Sequence, residues 1–478
     1  MPNTFAYVML LLWPVVCLGL FRRLPVERAV IWSLLGGYLL LPPRAAFDFP
    51  LVPDFDKTSI PSLCALLFCL TVARRRMAIW PDSRAPRVLM VLFVFGTIPT
   101  VLTNAEPISF TTGALPGLRW IDVLSVISGQ MIALVPFVLG RSVLASATGQ
   151  RELLLALALG GLAYSLPALV EVRLSPQLNI WIYGFFQHSF SQMMRDGGFR
   201  PLVFLPHALW MAFFLMTAAL AAAALARTAR GAGRGGFAVA VVWLAGVLVL
   251  CKSLAAMLYA LVLVPLVLIV PPRLQIRGAL VLAFLAVLYP ALRENAVVPL
   301  DAILERAAAI DPDRAQSLAY RFDNEEQLLA RAGEKRLFGW GGWGRNLARD
   351  PRTGEIVTIP DGQWIITFGT FGWVGYVSLM GLLAGPLVML WRGLGQRRLA
   401  GGARWRPLDR AEAARDARAR HVAALALILA ITLFDMLINA ILTPYTWLIA
   451  GALLGHCEAV ARDARAGGAA RPRRRPAL

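Results

Sequence analysis

Long apolar runs recur along almost the whole chain, and they constrain the fold more than any other feature. Each is about 15–25 residues long, the length that carries a helix across a bilayer. Backbone N–H and C=O groups in hydrocarbon must be hydrogen-bonded within the protein, so these runs must be helical. We predict spans at 5–21, 26–42, 60–73, 88–103, 121–140, 152–170, 201–226, 236–251, 254–270, 278–292, 363–391, 421–438 and 443–460.

The composition excludes a soluble enzyme with a few buried helices. The 478 residues are 58% hydrophobic and only 16% charged, and the mean hydropathy is +0.64. A soluble domain carries about 25% charged residues. We therefore predict an all-α polytopic membrane protein with about 12–13 transmembrane helices.

The basic residues indicate the orientation of the spans. With the N-terminus outside, most of the 47 Lys and Arg residues fall in alternate loops, which the positive-inside rule assigns to the cytoplasm. The predicted parts are the first ten spans at 1–292, an extracytoplasmic insertion at 293–362, the last three spans at 363–460 with a basic cytoplasmic loop at 392–420, and a basic tail at 461–478.

The net charge of +19 follows from this orientation signal. The arginines are dispersed over many short loops, which argues against nucleic acid as a partner, and the arginine-rich tail is placed to meet anionic lipid headgroups. The five cysteines all lie inside predicted spans, so they indicate neither a disulfide framework nor a metal site: Cys17, Cys64, Cys69, Cys251 and Cys457.

The insertion is predicted to contain two amphipathic helices lying at the membrane surface. Leu300, Ile303 and Leu304 share one face at helical spacing. Asp311 precedes Pro312 and ends this first helix, because a residue before proline avoids the helical region. A second run with apolar residues at helical spacing follows it.

A glycine-rich turn follows the second helix. Gly339, Gly341 and Gly344 match the spacing G-x-G-x-x-G. A dinucleotide site is rejected because that motif needs a preceding strand and a following helix in a βαβ unit. Trp340 and Trp343 of this flexible loop either anchor it at headgroup depth or stack on sugar rings.

Several cations are predicted to lie outside the membrane. Each is either a solvated or snorkelling side chain or part of a group that converges on a pyrophosphate, whose oxygens guanidinium binds in a bidentate way. The candidates are Arg195, Arg200, Lys252, Arg314, Arg321 and Arg345.

Two further polar residues precede spans. Asp361 is either a simple N-cap or a general base at the membrane surface, where partial desolvation raises the pKa of a carboxylate. His207 is either a packed, hydrogen-bonded histidine or a polar group facing a cavity.

Three segments resemble the superfamily of O-antigen ligases and O-antigen polymerases. Arg200 precedes a helix start with histidine and proline, PLVFLPHALW. Arg321 precedes a helix and a glycine-rich turn, NEEQLLARAGEKRLFGWGGWG. PDGQWIITFGTFGWVGY leads into the span after the insertion. The resemblance covers 195–380 well and the rest of the chain by span pattern alone.

The resemblance implies a GT-C-like enzyme of the bacterial cytoplasmic membrane. It would transfer a glycan from a polyprenyl pyrophosphate at the outer face, with no cofactor and no metal. Arg200, Arg321 and Lys252 would neutralise the leaving pyrophosphate, and Asp361 would deprotonate the acceptor. The expected partners are the lipid-linked glycan, membrane lipids and other polysaccharide-assembly proteins.

Two departures from the family pattern favour a polymerase over a ligase. Ligases carry a histidine where this chain has Asp361, and relatives carry Ser-Arg where it has Lys252-Ser253. A transporter of lipid-linked sugars and a non-catalytic assembly subunit are the rival classes. A transporter would not need the polar insertion, and Asp435 is the candidate for an ion-coupling carboxylate in a span.

Overall fold

The computed structural model describes residues 1–50, 52–195, 197–398 and 410–469. The chain is almost entirely helical. Its helices are α1 (Thr4–Arg23), α2 (Val26–Leu40), α3 (Ser59–Thr71), α4 (Arg84–Phe95), α5 (Thr97–Leu102), α6 (Asp122–Val143), α7 (Ala147–Leu174), α8 (Leu178–Tyr183), α9 (Ala208–Thr228), α10 (Ala232–Leu250), α11 (Leu254–Ile269), α12 (Pro272–Glu294), α13 (Leu300–Ile310), α14 (Pro312–Gly333), α15 (Gln363–Arg398), α16 (Arg410–Asp435) and α17 (Pro444–Ala469).

The described residues also form a 3₁₀ turn at Ser191–Met193 and two short antiparallel hairpins. Strand β1 (Ile108–Phe110) pairs with β2 (Gly113–Leu115), and β3 (Met194–Arg195) pairs with β4 (Gly198–Phe199). Both lie in connections between helices, so they shape loops and add nothing to a sheet core.

The prediction of a polytopic helical membrane protein is confirmed at this level. Every predicted span overlaps a helix, although 88–103 is divided between α4 and α5. In the described ranges nine helices are long and apolar enough to cross a membrane. Helices α3 and α11 are shorter apolar helices. The predicted division near Cys251 is also present, because α10 ends at Leu250 and α11 begins at Leu254.

Contacts between distant segments show that the loops connecting the helices lie at two opposite ends of the bundle. At the insertion end, Lys57 Nζ donates to the Phe204 carbonyl and Arg321 Nη1 approaches the Ile438 carbonyl at 3.5 Å. At the opposite, basic end the paired residues are Arg28 with Glu152, Arg141 with Glu458, and Arg418 with Ala145. The loops predicted to be cytoplasmic therefore gather at one end.

One predicted span is wrong at its start. Helix α9 begins at Ala208, and 201–207 is irregular although it is apolar. At the basic end, α15 and α16 extend into the predicted loop at 392–420, and α17 extends into the predicted tail. Residues 399–409 and 470–478 of these two segments lie outside the described residues.

Helix α9 forms the centre of the bundle. Its side chains are almost all buried, and it packs against α7, α10, α11 and α16. A separate close contact joins α6 to α17, where a Cβ on Gly451 would lie 2.0 Å from the Phe137 carbonyl oxygen. Small residues let such backbones approach closely, as is common between membrane helices.

Helix α15 is interrupted where the glycine loop (336–344) meets it. Gly372 has φ +63° and ψ −162°, which breaks the helical path. The freed backbone groups bond the loop, since Trp340 N donates to Gly369 O and Trp373 N donates to Arg336 O. A broken helix at membrane depth is tolerated where its backbone is paired with protein in this way.

Candidate functional site

An irregular, largely buried segment, 200–207, begins at Arg200 and ends at His207, two of the candidate residues. Glu171 of α7 holds its backbone: one carboxylate oxygen accepts from Leu202 N at 2.8 Å and Val203 N at 2.7 Å, and the other accepts from Leu178 N at 3.0 Å. A buried carboxylate with three N–H donors is well compensated for its lost hydration.

Further backbone groups of this segment are also paired. Phe204 N donates to the Tyr164 hydroxyl at 2.9 Å, and Lys57 Nζ donates to Phe204 O at 2.9 Å. Gln187 Nε2 donates to two further carbonyls, those of Val203 and Leu205. Non-helical backbone buried in a membrane protein needs such partners, and here they fix where Arg200 and His207 lie.

His207 is the N-cap of α9 and also faces other ionisable groups. Its Nδ1 accepts from Leu209 N at 3.0 Å, and its ring lies edge-on to that of His188 with centroids 4.4 Å apart. Burial, together with the nearby His188, Arg200 and Arg321, lowers the pKa of His207 to about 3. His207 is therefore neutral near pH 7, and both guanidinium groups lie close enough to act on it.

Arg321 and Asp361 meet at the head of α15. Arg321 Nε lies 3.4 Å from Asp361 Oδ2, and both side chains are about one-third exposed. Burial raises the pKa of Asp361 above its usual value, and Arg321 opposes part of that rise. Helix α15 begins at Gln363, so Asp361 lies two residues before it. The contact that the structure shows for Asp361 is an ion pair with Arg321 rather than an N-cap hydrogen bond.

The connection between α16 and α17 contacts Arg321 and the start of α15. Ile438 O lies 3.5 Å from Arg321 Nη1, and Asn439 O accepts from Gln363 N at 3.3 Å. The Asn439 amide donates to both oxygens of the buried Asp435 at 3.1 Å. Asp435 therefore holds the connection on which both Arg321 and the head of α15 rest.

A hairpin brings three further cations to the same end. Arg195 pairs with Gly198 across the turn from β3 to β4, and Arg200 follows the hairpin directly with 4% of its surface exposed. Lys252, at φ +51°, donates from Nζ to Arg195 O at 2.8 Å. Together with Arg321 they bring four cations to the insertion end, and such a group suits an anionic ligand.

The glycine loop places its two tryptophans differently. The Trp340 ring is covered, since the guanidinium of Arg331 lies 3.3 Å from its centroid and Lys335 Nζ lies at 4.5 Å. Trp340 Nε1 also donates to Arg331 O. Trp343 is 59% exposed and lines a cavity. Only Trp343 therefore presents an open ring face.

Arg345 lies apart from the Arg321 group. It is 2% exposed, and its two terminal nitrogens donate to Pro116 O at 2.7 Å and Glu106 O at 2.9 Å. These bonds connect the residue that directly follows the glycine loop to the segment between α5 and α6. The backbone of Arg314 lies in α14, and its side chain lies outside the described part of the structure.

Four residues that the sequence did not single out belong to this region: Lys57, Glu171, His188 and Asn439. The useful signals were Pro201 and Pro206, which argue against a helix between them, and a glutamate directly after an apolar run. Nothing local marks His188 or Asn439, since only the tertiary fold brings them to the site.

No known protein family matches the chain. No curated protein matches it either. Function must therefore be argued from the site. Within the described ranges, no three His, Cys, Asp or Glu side chains gather into a group able to hold a metal ion.

Proposed function

We propose that the protein is a membrane glycosyltransferase that polymerises a polyprenyl-pyrophosphate-linked oligosaccharide into exopolysaccharide or O-antigen. The observation that carries this proposal is the ion pair of Arg321 with Asp361 beside Arg200 and His207. It joins a carboxylate of raised pKa to a group of cations, the two functions that glycosyl transfer from a pyrophosphate requires.

We further propose a GT-C-like arrangement with about 12–13 crossings in the bacterial cytoplasmic membrane. The alternation of helix connections between the insertion end and the basic end supports it, and the arginine distribution supports an extracytoplasmic insertion end. The lipid-linked glycan would then reach the site from the outer leaflet.

In the proposed reaction the bond between the anomeric carbon and the pyrophosphate oxygen breaks. The acceptor hydroxyl oxygen forms the new bond to that carbon, and its proton passes to Asp361. Arg200 and Arg321 stabilise the charge that develops on the departing pyrophosphate, as basic clamps do in related transfers. The acceptor is a second lipid-linked glycan.

The ion pair links the basicity of Asp361 to the binding of pyrophosphate by Arg321. Arg321 lowers the pKa of Asp361 when the site is empty. When a pyrophosphate engages Arg321, the positive charge is shared with the ligand, and the pKa of Asp361 rises. Asp361 then becomes a stronger base at the moment when the donor is bound.

Transfer assays on the purified protein test this function. Asp361→Asn should slow extension of a lipid-linked oligosaccharide in proteoliposomes by about 10²–10⁴-fold, the usual contribution of a general base. Arg321→Gln should slow it by about 10²–10³-fold. Asp323→Asn removes an exposed carboxylate from α14 and serves as the control.

Normal extension rates for both variants would reject the assigned site. A wild-type protein that moves the lipid-linked sugar across vesicles without extending it would indicate a transporter. Transfer to a lipid core in place of a second lipid-linked glycan would indicate a ligase, and no transfer at all would leave a non-catalytic assembly role.

A further inference from the structure

A cavity lies beside the glycine loop and is separate from the Arg321–Asp361 pair. Its volume is about 250 Å³, and it is bounded by α5, the first turns of α6, the glycine loop and the interrupted part of α15. Thr370 of its wall lies about 10 Å along α15 from the start at Gln363, at the helical rise of 1.5 Å per residue. The cavity is therefore placed near the proposed site without being part of it.

Trp343 is held at the mouth of this cavity in a strained conformation. Its φ is +56°, a region that bulky residues rarely adopt. Within the described part of the chain, no aromatic ring and no cation lies over its ring, unlike that of Trp340. Backbone strain of this kind persists where the surrounding structure over-determines it, often at ligand-binding positions.

Three polar side chains line the same cavity as Trp343. Ser125 and Gln130 come from α6, and Thr370 comes from α15. None of the three side chains has a hydrogen-bond partner among the described residues. An acyl chain in the cavity would leave these groups unsatisfied, whereas a ligand with several hydroxyls would pair with them.

We propose that this cavity binds one sugar unit of the glycan, with Trp343 stacked on the apolar face of the ring. Gln130, Ser125 and Thr370 then hydrogen-bond the sugar hydroxyls. This subsite rests on the proposed function, in which the chain extends, because it holds the glycan at a distance from the pyrophosphate. A polymerase that keeps hold of its chain in this way adds several units before release.

Direct binding measurements test the subsite without a transfer reaction. The probe is a set of oligosaccharides released by mild acid from the surface polysaccharide of the source strain. They are titrated into the full-length protein in nanodiscs and followed by saturation-transfer NMR. Trp343→Leu should weaken binding about tenfold, a loss typical of truncating an aromatic anchor, and Trp343→Phe should retain most of it. Trp181→Leu removes a tryptophan that is 60% exposed on α8 and should bind as the wild type does.

A cavity-filling variant gives a second, independent readout. A Cβ on Gly342 would meet nothing within 4 Å, and Gly342 does not have positive φ. Gly342→Leu should therefore fold normally and block the cavity while Trp343 stays in place. Loss of oligosaccharide binding in both Gly342→Leu and Trp343→Leu supports the subsite.

The opposite results overturn it. Wild-type binding in both variants excludes the cavity as a sugar site, and binding that follows lipid composition rather than oligosaccharide makes Trp343 a membrane anchor. A wild-type protein that extends lipid-linked glycan but does not bind the released oligosaccharides refutes the subsite and leaves the proposed function intact. A protein that binds them without extending glycan retains the subsite and loses the polymerase function.

Discussion

Arg321 and Asp361 lie 3.4 Å apart, from Nε to Oδ2, and join the second helix of the insertion to the head of the next long helix. The pair is about one-third exposed, so its contribution to folding stability is small, as for other solvated ion pairs. Its chemical consequence is larger, because Arg321 favours the ionised form of Asp361 and opposes the rise in pKa that burial causes.

The pH dependence of transfer should report this control. Asp361 acts as a base only when ionised, so the rate should fall as the pH drops through its pKa, which burial raises. Because Arg321 lowers that pKa, Arg321→Gln should shift the acid limb of the kcat/KM profile to higher pH. Arg321→Lys keeps the charge and should leave the limb closer to its original position. An acid limb that does not move in Arg321→Gln would show that Asp361 is not the titrating base.

The irregular segment 200–207 should be destabilised by the loss of the Glu171 carboxylate. In Glu171→Gln the amide nitrogen cannot accept a hydrogen bond, which leaves at least one buried backbone N–H unsatisfied among those of Leu178, Leu202 and Val203. The expected loss is about 1–3 kcal/mol of stability, measured by thermal unfolding in detergent. Glu305→Gln, at an exposed position on α13, is the matched control and should leave the melting temperature unchanged.

The contact between the glycine loop and α15 requires glycine on both sides. A Cβ on Gly372 would lie 2.4 Å from the Leu337 carbonyl, and one on Gly339 would lie 2.5 Å from that of Thr370. Gly372→Ala and Gly339→Ala should each be destabilised by about 1–3 kcal/mol, the cost of holding a residue other than glycine in a sparsely populated region of positive φ, with the steric clash added. Gly342→Ala meets no atom and should unfold at the wild-type temperature. Equal stability of all three variants would contradict the observed approach of the two backbones.

The helices could be predicted from the sequence because each apolar run has to satisfy its backbone internally in a membrane. The start of α9 could not be predicted, because an apolar irregular segment has the same composition as an apolar helix. Residues 201–207 are kept irregular by their hydrogen bonds with Glu171, Tyr164 and Gln187, which lie elsewhere in the chain.

The site was only partly predictable for the same reason. Arg321 and Arg345 lie in one insertion, yet Arg321 meets Asp361 while Arg345 binds two carbonyls of a distant loop. Trp340 and Trp343 differ in the same way, because Arg331 covers only the first. Local sequence gives the residue types, and packing between distant elements decides which of them remain open to a ligand.

A buried ion pair at the basic end should matter far more to stability than the exposed ones. Arg141 Nε lies 2.7 Å from Glu458 Oε2, with 4% and 3% of the side chains exposed. Glu458 Oε1 also accepts from Asp82 N at 2.8 Å. Arg141→Met leaves Glu458 without its cation among α6 and α17, and the expected loss is about 3–5 kcal/mol.

The comparison that checks this prediction uses a second pair in the same protein. Arg420 Nε lies at the same 2.7 Å from Asp416 Oδ2, but those side chains are 24% and 40% exposed. Arg420→Met should therefore cost about 0–1 kcal/mol. The double variant Arg141→Met with Glu458→Met should recover part of the loss, because it removes the uncompensated charge. If Arg141→Met and Arg420→Met unfold at the same temperature, burial of the Arg141–Glu458 pair does not govern stability at this end of the bundle.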